Sequence, residues 1–270
     1  KYLSYFQGSI KQWETPDQRR LRQIIPEDRS QMYDVREVIE TIADEDSILE
    51  IRAAFGTGII TDFIRIEGRP MGLIANNPQH FSGAIDTDAS DKAARFLQLC
   101  DTFDLPVLSL MDCPGIMVGA EYEQSALLRH CARLFVTGAN LTTPLFGVVL
   151  RKAYGMGVRA MCGGSSLAPF FTVAWPTAEF ADMTIDGRVR LIFREELEAI
   201  DDPGERQTVF EQRVAEFVDR ARAVNSGGTS YGIDDVIDPA DTRAWIAQGL
   251  SSLPPVPIRT EKKRPNVDTW

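Results

Sequence analysis

The chain contains 270 residues, of which 44% are hydrophobic, so it can bury one large core or two small ones, and a single α/β domain is the simplest interpretation. Its formal net charge of −10 leaves no basic field to gather phosphates, which argues against nucleic acid and anionic membranes as partners. No apolar run approaches the roughly 20 residues that span a bilayer.

The N-terminal segment, residues 1–32, is polar and interrupted by Pro16 and Pro26. This composition predicts a connector that runs over a surface rather than part of a core. The domain proper is predicted over 33–250. Because the first residue is Lys1 rather than methionine, we expect the chain to be a piece of a longer protein.

The predicted domain begins with a short helix and continues as strands. Asp34 and Glu37 form a capping-box pattern ahead of apolar residues at helical spacing. Segments rich in β-forming residues follow at 47–52, 59–66 and 71–75, and breaks that contain glycine separate them. This pattern predicts three strands.

From Met71 onward the chain repeats one unit, a strand followed by a turn and an amphipathic helix. Strands are predicted to start near Met71, Val107 and Leu145, which are 36 and then 38 residues apart (107 − 71 and 145 − 107). This spacing is typical of successive crossover connections between neighbouring strands.

Apolar residues at helical spacing predict two helices that lie on the sheet. Their predicted buried faces consist of Ala93, Phe96, Leu97, Cys100 and Phe103 in the first helix, and of Leu127, Cys131, Leu134 and Gly138 in the second. A longer helix over 204–224 can pack against a core or a partner, and core packing is favoured. A short strand at 236–237 and a helix at 240–249 follow. The charged, proline-rich segment 251–270 predicts a tail that lies on a surface or is disordered.

The cysteines and histidines form no recognisable metal or catalytic pattern. Neither a metal site nor a disulfide is expected from four isolated cysteines, Cys100, Cys113, Cys131 and Cys162. Reduced thiols without a signal peptide predict the cytoplasm, or the mitochondrial matrix in a eukaryote. His80 in a loop and His130 in a helix cannot be assigned to a triad from spacing, and a structural role is favoured for both.

Two turns between a strand and a helix are the stronger candidates for chemistry. The strand predicted over 108–112 runs into Cys-Pro-Gly, ending at Gly115, and then into Gly119; the strand over 145–150 runs into 151–157. Glycine lets a ligand approach the backbone closely, and a helix N-terminus presents free N–H groups. Either turn could stabilise an oxyanion, although an ordinary structural turn is the alternative interpretation.

The second turn also imitates a dinucleotide-binding fingerprint. Gly155, Gly157 and Ala160 follow a strand and open a helix, and Glu179 lies farther along the chain. The fingerprint normally closes the first β–α unit of its domain, whereas this sequence closes a late unit. An NAD(P)-binding oxidoreductase is therefore a secondary hypothesis.

Five segments in fixed order resemble the C-terminal half of the carboxyltransferase of propionyl-CoA, methylcrotonyl-CoA and related biotin-dependent acyl-CoA carboxylases. The resemblance covers roughly residues 20–245. The segments are Ile66-Glu-Gly-Arg-Pro-Met-Gly-Leu-Ile-Ala-Asn76, Ser90-Asp-Lys-Ala-Ala-Arg-Phe96, Asp112-Cys-Pro-Gly115, Arg151-Lys-Ala-Tyr-Gly155 and Ala174-Trp-Pro-Thr-Ala-Glu179.

This resemblance implies an α/β fold of the crotonase type, a spiral of repeated ββα units, with additional C-terminal helices. It also implies a carboxyltransferase that moves carbon dioxide from carboxybiotin to the α-carbon of an acyl-CoA. In this family the N-terminal half of one subunit and the C-terminal half of another share the active site. Because the cofactor supplies the base, the protein mainly supplies orientation and backbone oxyanion holes.

The resemblance assigns site residues by their position in the motifs. It implies that the backbone N–H groups of Met156 and Gly157 form the oxyanion hole for biotin. Biotin would also lie against Pro114, Gly115, Gly119 and Gly155, and Arg159 would influence which acyl chain is accepted. Many family members have Gly-Gly-Ala where this chain has Gly-Met-Gly at 155–157, which leaves the backbone donor and narrows the pocket.

The family implies biotin as cofactor, carried in trans on another domain or chain, since no Met-Lys-Met attachment site is present. The implied partners are acyl-CoA, the N-terminal half, the biotin carboxyl carrier and biotin carboxylase components, and further copies of this chain. Two alternatives stay open besides the oxidoreductase: a crotonase-type CoA-thioester hydratase or isomerase, and a non-catalytic assembly module of a carboxylase complex.

Overall fold

The computed structural model describes residues 12–29, 31–165, 167–256, 260–261, 263–264 and 266–268. The strands are β1 (Leu49–Glu50), β2 (Ile59–Ile66), β3 (Arg69–Asn76), β4 (Val107–Cys113), β5 (Leu145–Tyr154), β6 (Phe171–Ala174), β7 (Glu179–Ala181) and β8 (Asp235–Val236). The helices are α1 (Leu21–Ile24), α2 (Val35–Ile42), α3 (Thr87–Thr102), α4 (Ala120–Gln124), α5 (Leu127–Ala139), α6 (Gly155–Met161), α7 (Ile185–Ile192), α8 (Arg194–Glu198), α9 (Pro203–Ala221), α10 (Ser226–Tyr231) and α11 (Thr242–Ser252).

All eight strands form one mixed sheet in the order β1-β2-β3-β4-β5-β6-β8, and β7 pairs with the end of β5. Strands β1, β2 and β3 are antiparallel, whereas β3 to β4 and the later pairs are parallel. The β2–β3 hairpin followed by α3 makes one ββα unit. The predicted strand starts near Val107 and Leu145 are confirmed.

Two predicted strands have different lengths in the structure. The strand predicted over 47–52 is reduced to β1, because Asp46 and Arg52 have left-handed φ values of 58° and 60° that interrupt extended backbone. The strand predicted to end at Leu150 continues as β5 to Tyr154. Its extension is stabilised by β7, since Tyr154 pairs with Ala181 across the sheet.

Apolar side chains cover both faces of the sheet, so the strands are buried on two sides. One face packs against α3, α5 and α6 through residues that include Ala93, Leu97 and Leu134. The opposite face packs against α1, α2 and α11 through residues that include Phe146 and Trp175. The helical faces predicted for α3 and α5 are confirmed except at Phe103, which is 48% exposed because it lies beyond the last turn of α3.

The prediction that the N-terminal segment stays out of the core is wrong for its second half. Leu21 and Ile25 are buried in the cluster beneath the sheet. The Gln18 side chain donates a hydrogen bond of 2.6 Å to the carbonyl of Thr41 and so fastens the segment to α2. The apolar residues between the two prolines reach the core because α1 lies alongside α2.

Helix α9 packs against α7 in a small apolar cluster. Phe210 is buried and belongs to a small cluster with Ile185 and Val189 of α7, whereas Val224, predicted on the same stripe, lies beyond the helix and is 56% exposed. In the described part of the chain, none of the helices is both long and apolar enough to cross a membrane.

The burial of Leu21 gives a test of this packing. Replacing Leu21 by Ala should lower the free energy of unfolding by about 2–5 kcal/mol, because it removes a side chain that is 1% exposed and leaves a cavity. Urea unfolding monitored by circular dichroism would measure the change. The neighbouring exposed change Arg20→Ala should leave the midpoint where it is, and equal midpoints for both variants would contradict core packing of α1.

Candidate functional site

The structure brings the two predicted turns into direct contact. Gly157, in the first turn of α6, lies so close to the end of β4 that an added Cβ would be 2.5 Å from Cys113 Sγ and 2.8 Å from the Cα of Gly115. A side chain at this position would therefore push the two turns apart. We call this contact, formed by Cys113, Pro114, Gly115, Gly155, Met156 and Gly157, the glycine junction.

The backbone at the start of α6 depends on Gly155. Its φ of 58° is left-handed, and a Cβ there would lie 2.9 Å from the carbonyl oxygen of Asp182. The N-cap residue is Tyr154, and its side chain makes no capping hydrogen bond. The N–H groups of Met156 and Gly157 therefore belong to the helix turn whose donors have no partner four residues back. Met156 is 54% exposed, so the junction opens to the surface.

The other side of the junction is an extended loop. Gly115 has a φ of 139°, and a Cβ on it would meet no atom within 4 Å. The Ile85 amide donates to the Gly115 carbonyl at 3.0 Å, and the Met117 amide donates to the Ile85 carbonyl at 3.0 Å. These bonds fix the loop. Gly119 lies farther along the chain and is the N-cap of α4. A Cβ added to Gly119 would lie 3.8 Å from the Tyr122 ring.

A buried ionic cluster that was not predicted from the sequence holds the two strand ends together. Asp112 is fully buried at the end of β4 and accepts hydrogen bonds from Arg151 Nε at 3.1 Å and from the Lys152 amide at 3.0 Å. Lys152 Nζ donates to the Ser82 carbonyl at 2.8 Å. Desolvation lowers the pKa of Lys152, and Asp112 opposes that shift. The sequence contained a signal for this cluster, since Asp112, Arg151 and Lys152 are the charged residues of two otherwise apolar strands.

A second buried contact holds Tyr154, the N-cap residue of α6. The Tyr154 hydroxyl donates a hydrogen bond of 2.5 Å to the carboxylate of Glu179, which is 6% exposed. Burial raises the pKa of Tyr154, and Glu179 adds to the shift. Glu179 is thus committed to Tyr154, and β6 ends at Ala174 rather than at an acidic residue. Both observations contradict the dinucleotide-binding hypothesis, in which an acid after the second strand would contact a ribose.

Arg159 lines a cavity that includes none of the junction residues. It lines a cavity of about 720 Å³ together with Phe180, Asp182 and Tyr231. Asp182 links the two places, because its carbonyl oxygen lies against Gly155. Arginines at 188 and 220 also line this cavity, so its wall is positively charged in part.

The cysteines and histidines are engaged in structural contacts. Burial raises the pKa of Cys113 to about 12, so its thiol is protonated at neutral pH even though it lies in the junction. His130 Nδ1 lies 2.7 Å from Asp91, and His80 Nε2 lies 3.1 Å from Asp86. Within the ranges that the structure describes, no group of three or more potential ligands could hold a metal ion.

The comparisons with known proteins agree on one family. The model of the carboxyl transferase domain matches residues 5–267. The chain is 40% identical over 230 residues to the methylmalonyl-CoA carboxyltransferase 12S subunit of Propionibacterium freudenreichii subsp. shermanii, covering 85% of this chain and 43% of that protein. It is 36% identical over 247 residues to the propionyl-CoA carboxylase carboxyltransferase subunit of Haloferax mediterranei, covering 90% and 47%.

Solved structures give the same result. A single-chain, multi-domain long-chain acyl-CoA carboxylase aligns with a TM-score of 0.85 at 49% identity, covering 92% of this chain and 24% of that one. The hexameric transcarboxylase 12S with bound methylmalonyl-CoA aligns with a TM-score of 0.79 at 36% identity, covering 97% and 49%. The crotonase-like α/β fold implied by the motifs is confirmed. The chain spans about half the length of the curated relatives it matches.

The ionic cluster can be tested by removing one partner. Arg151→Met should lower the free energy of unfolding by about 3–5 kcal/mol, because it removes the guanidinium that donates to the buried Asp112 carboxylate and leaves that charge only partly compensated by Lys152. The control Arg194→Met breaks an exposed pair with Glu198 and should have no measurable effect. Equal urea midpoints for Arg151→Met and the unmodified chain would contradict this role.

Proposed function

Because the chain belongs to the carboxyl transferase domain family, we propose that it is the biotin-binding half of an acyl-CoA carboxylase carboxyltransferase. In this proposal the complete protein transfers a carboxyl group from carboxybiotin to the α-carbon of an acyl-CoA. The chain aligns with about half of each curated relative, so the other half of the site would come from an N-terminal carboxyltransferase half.

The contact between Gly157 and Gly115 is the observation that carries this proposal. It places the first-turn amides of α6 beside an open loop at the ends of two parallel strands, and it leaves no room there for a side chain. Ligands of α/β sheets commonly bind outside the carboxyl ends of the strands. The N–H groups of Met156 and Gly157 would hold a carbonyl oxygen as it gains negative charge.

The junction has the properties that a flat, mostly neutral ring system requires. Gly115 offers open space beside its Cα, since an added Cβ there would meet no atom within 4 Å. Biotin, when carboxylated and bound, would supply the carboxyl group and the basic atom of the reaction. The chain's own part is to orient the ring, hold its oxygen through backbone donors, and limit access of water.

The buried cluster of Asp112, Arg151 and Lys152 would act as the support of this site. It does not reach the surface, so its role is to keep the end of β4 and the start of α6 at a fixed separation. Backbone donors stabilise a developing charge only if they are held in place before the reaction.

Arg159 would influence the acyl substrate rather than biotin. It lines the 720 Å³ cavity next to the junction, where apolar walls such as Phe180 and Ile192 are interrupted by charged groups. An acyl-CoA bound through the N-terminal half would extend its acyl chain toward this cavity. The position of Gly119, outside the junction, favours a role at the rim over direct contact with the ring.

The proposed partners are acyl-CoA, the N-terminal half, and a biotin carboxyl carrier charged by a biotin carboxylase, with biotin delivered in trans. Further copies of this chain are expected in the complex, and the transcarboxylase 12S relative is a hexamer. A cytoplasmic or mitochondrial-matrix location stays a prediction.

Complementation tests the proposal directly. The chain alone should have negligible carboxyl transfer activity, and activity should appear when a separately expressed N-terminal half, carboxylated biotin carrier and acyl-CoA are added. Transfer of ¹⁴C from the carrier to acyl-CoA is the measurement. Full activity of the isolated chain, or hydration of an enoyl-CoA without biotin, would refute it.

The backbone donor can be removed with little change to the helix. Proline is tolerated in the first turn of a helix and has no N–H, so Met156→Pro should reduce carboxyl transfer by about 100- to 1000-fold. Met156→Ala keeps the N–H and should stay close to the unmodified rate. Circular dichroism and urea unfolding establish that both variants fold, and equal rates for the two would exclude a role for this amide.

The acyl specificity can be tested at Arg159. Arg159→Met should change the ratio of kcat/KM for longer and shorter acyl-CoA substrates by about tenfold, because it replaces a charge in the cavity wall by an apolar chain. Arg194→Met, outside the cavity, serves as the control. An unchanged ratio in Arg159→Met would place the acyl chain elsewhere.

A further inference from the structure

The cavity that Arg159 lines is bounded by four helices and a strand. It measures about 720 Å³, which lies within the roughly 300–1,000 Å³ typical of ligand pockets. Arg159 comes from α6, Phe180 from β7, Arg188 from α7, Arg220 from α9 and Tyr231 from α10. Side chains from elements far apart in sequence thus meet around one space.

The described residues that line this cavity carry more positive than negative charge. Arg159, Arg188 and Arg220 are accompanied by a single carboxylate, that of Asp182. The chain as a whole has a formal net charge of −10, so an excess of two positive charges around one space runs against its overall balance. A cleft lined by one sign of charge attracts ligands of the opposite sign.

Aromatic contacts hold two of the guanidiniums at the cavity wall. The guanidinium carbons of Arg188 and Arg220 lie 5.8 and 5.5 Å from the centroid of the Phe217 ring, and this ring itself lines the cavity. Arg188 also donates a hydrogen bond of 3.2 Å to the Asp182 carboxylate. Because both of its partners border the cavity, the charged end of Arg188 lies at the wall.

Arg159 brings an uncommitted guanidinium to the same space. Among the residues that the structure describes, none accepts a hydrogen bond from its side chain or forms an ion pair with it. Burial raises the pKa of the Tyr231 hydroxyl to about 12 and Asp182 adds to the shift, whereas the charges of Arg159 and Arg188 oppose it. Charges act on a titrating group in this way from a short distance. Both guanidiniums therefore lie on the side of the cavity that Tyr231 lines.

The remaining wall is apolar and aromatic. The rings of Phe180 and Tyr231 pack with their centroids 5.1 Å apart, and Leu167, Ile185 and Ile192 also line the cavity. Methylene groups gain free energy by contact with such a wall. A chain that ends in a methyl group would also remove water from the guanidiniums without supplying an acceptor, which is unfavourable. The cavity therefore suits a ligand with an apolar body and an anionic end.

We infer that this cavity accepts an acyl group that ends in a carboxylate, so that the acyl-CoA substrate is the thioester of a dicarboxylic acid. The inference rests on the proposed function, in which the acyl chain of the substrate extends toward Arg159. A carboxylate matches the planar fork of a guanidinium, and such charge-assisted pairs are stronger than neutral hydrogen bonds. The apolar wall would hold the methylene groups between the thioester and the terminal carboxylate.

The phosphates of coenzyme A are the other anionic groups of such a substrate. They lie on the opposite side of the thioester from the acyl chain. The carbonyl of Asp182, a residue of the cavity wall, lies against Gly155 of the glycine junction, so the cavity adjoins the place where the α-carbon would react. A substrate whose acyl chain runs from there into the cavity directs its phosphates away from the arginines.

Two substrates of equal chain length isolate the terminal carboxylate. With the N-terminal half and carboxylated carrier added, adipoyl-CoA should be carboxylated with a kcat/KM about tenfold above that of hexanoyl-CoA. Arg159→Met and Arg188→Met should each remove this preference by raising KM for adipoyl-CoA alone. Arg190→Met removes the same charge from α7 outside the cavity, where its guanidinium lies 4.2 Å from the centroid of the Phe210 ring, and should keep the preference.

Binding to the full chain by itself separates this inference from the proposed reaction. Adipoyl-pantetheine has the carboxylate but no phosphate, and calorimetry should show that it binds about tenfold more tightly than hexanoyl-pantetheine. The difference should disappear in Arg159→Met and persist in Arg190→Met, with circular dichroism establishing that both variants fold. A selective site for adipoyl-pantetheine on a chain that fails in the complementation assay would support the cavity's specificity and refute the proposed reaction.

Three results would overturn the inference. The first is equal binding of the two pantetheine thioesters, or binding of neither. The second is a preference for adipoyl-CoA that Arg159→Met leaves unchanged. The third is an equal rise in KM for adipoyl-CoA and hexanoyl-CoA in Arg159→Met, which would show that this arginine contacts the phosphates of coenzyme A.

Discussion

The buried contact of Asp112 with Arg151 and Lys152 is the constraint on which the glycine junction depends. It joins the ends of β4 and β5, and those strands lead into the loop and the helix that meet at Gly115 and Gly157. A buried charge set is costly unless each member is satisfied, and here the carboxylate receives donors from both a side chain and the main chain. The desolvation of these charges is therefore offset at the point where the ends of β4 and β5 must keep a fixed separation.

The proposed chemistry agrees with the scarcity of activated side chains near the junction. Cys113 is protonated at neutral pH because burial raises its pKa to about 12, and the carboxylate of Glu179 is occupied by Tyr154. What remains near the opening is main chain, and main-chain donors need no tuned pKa to stabilise an oxyanion. The site therefore depends on close packing, which glycine at 157 permits and any side chain would prevent.

The exposed apolar side chains fit the proposal that a second half completes the site. Val118 is 83% exposed beside the junction loop, Met156 is 54% exposed at the start of α6, and Leu191 is 67% exposed on α7. Large apolar groups that stay exposed beside the junction, such as Val118 and Met156, are typical of a surface that a partner covers.

The sequence alone determined the strands and helices whose apolar periodicity is strong, such as β2, α3 and α5, and the motif order determined the family and its fold. It also placed Gly115 in a turn, whereas Gly157, expected in a turn, lies in the first turn of α6. Only the tertiary structure decided that β5 continues to Tyr154, because that extension exists through pairing with β7. The same holds for the burial of Leu21 and the ion cluster at Asp112. Each of these depends on partners distant in sequence, which local propensity does not encode.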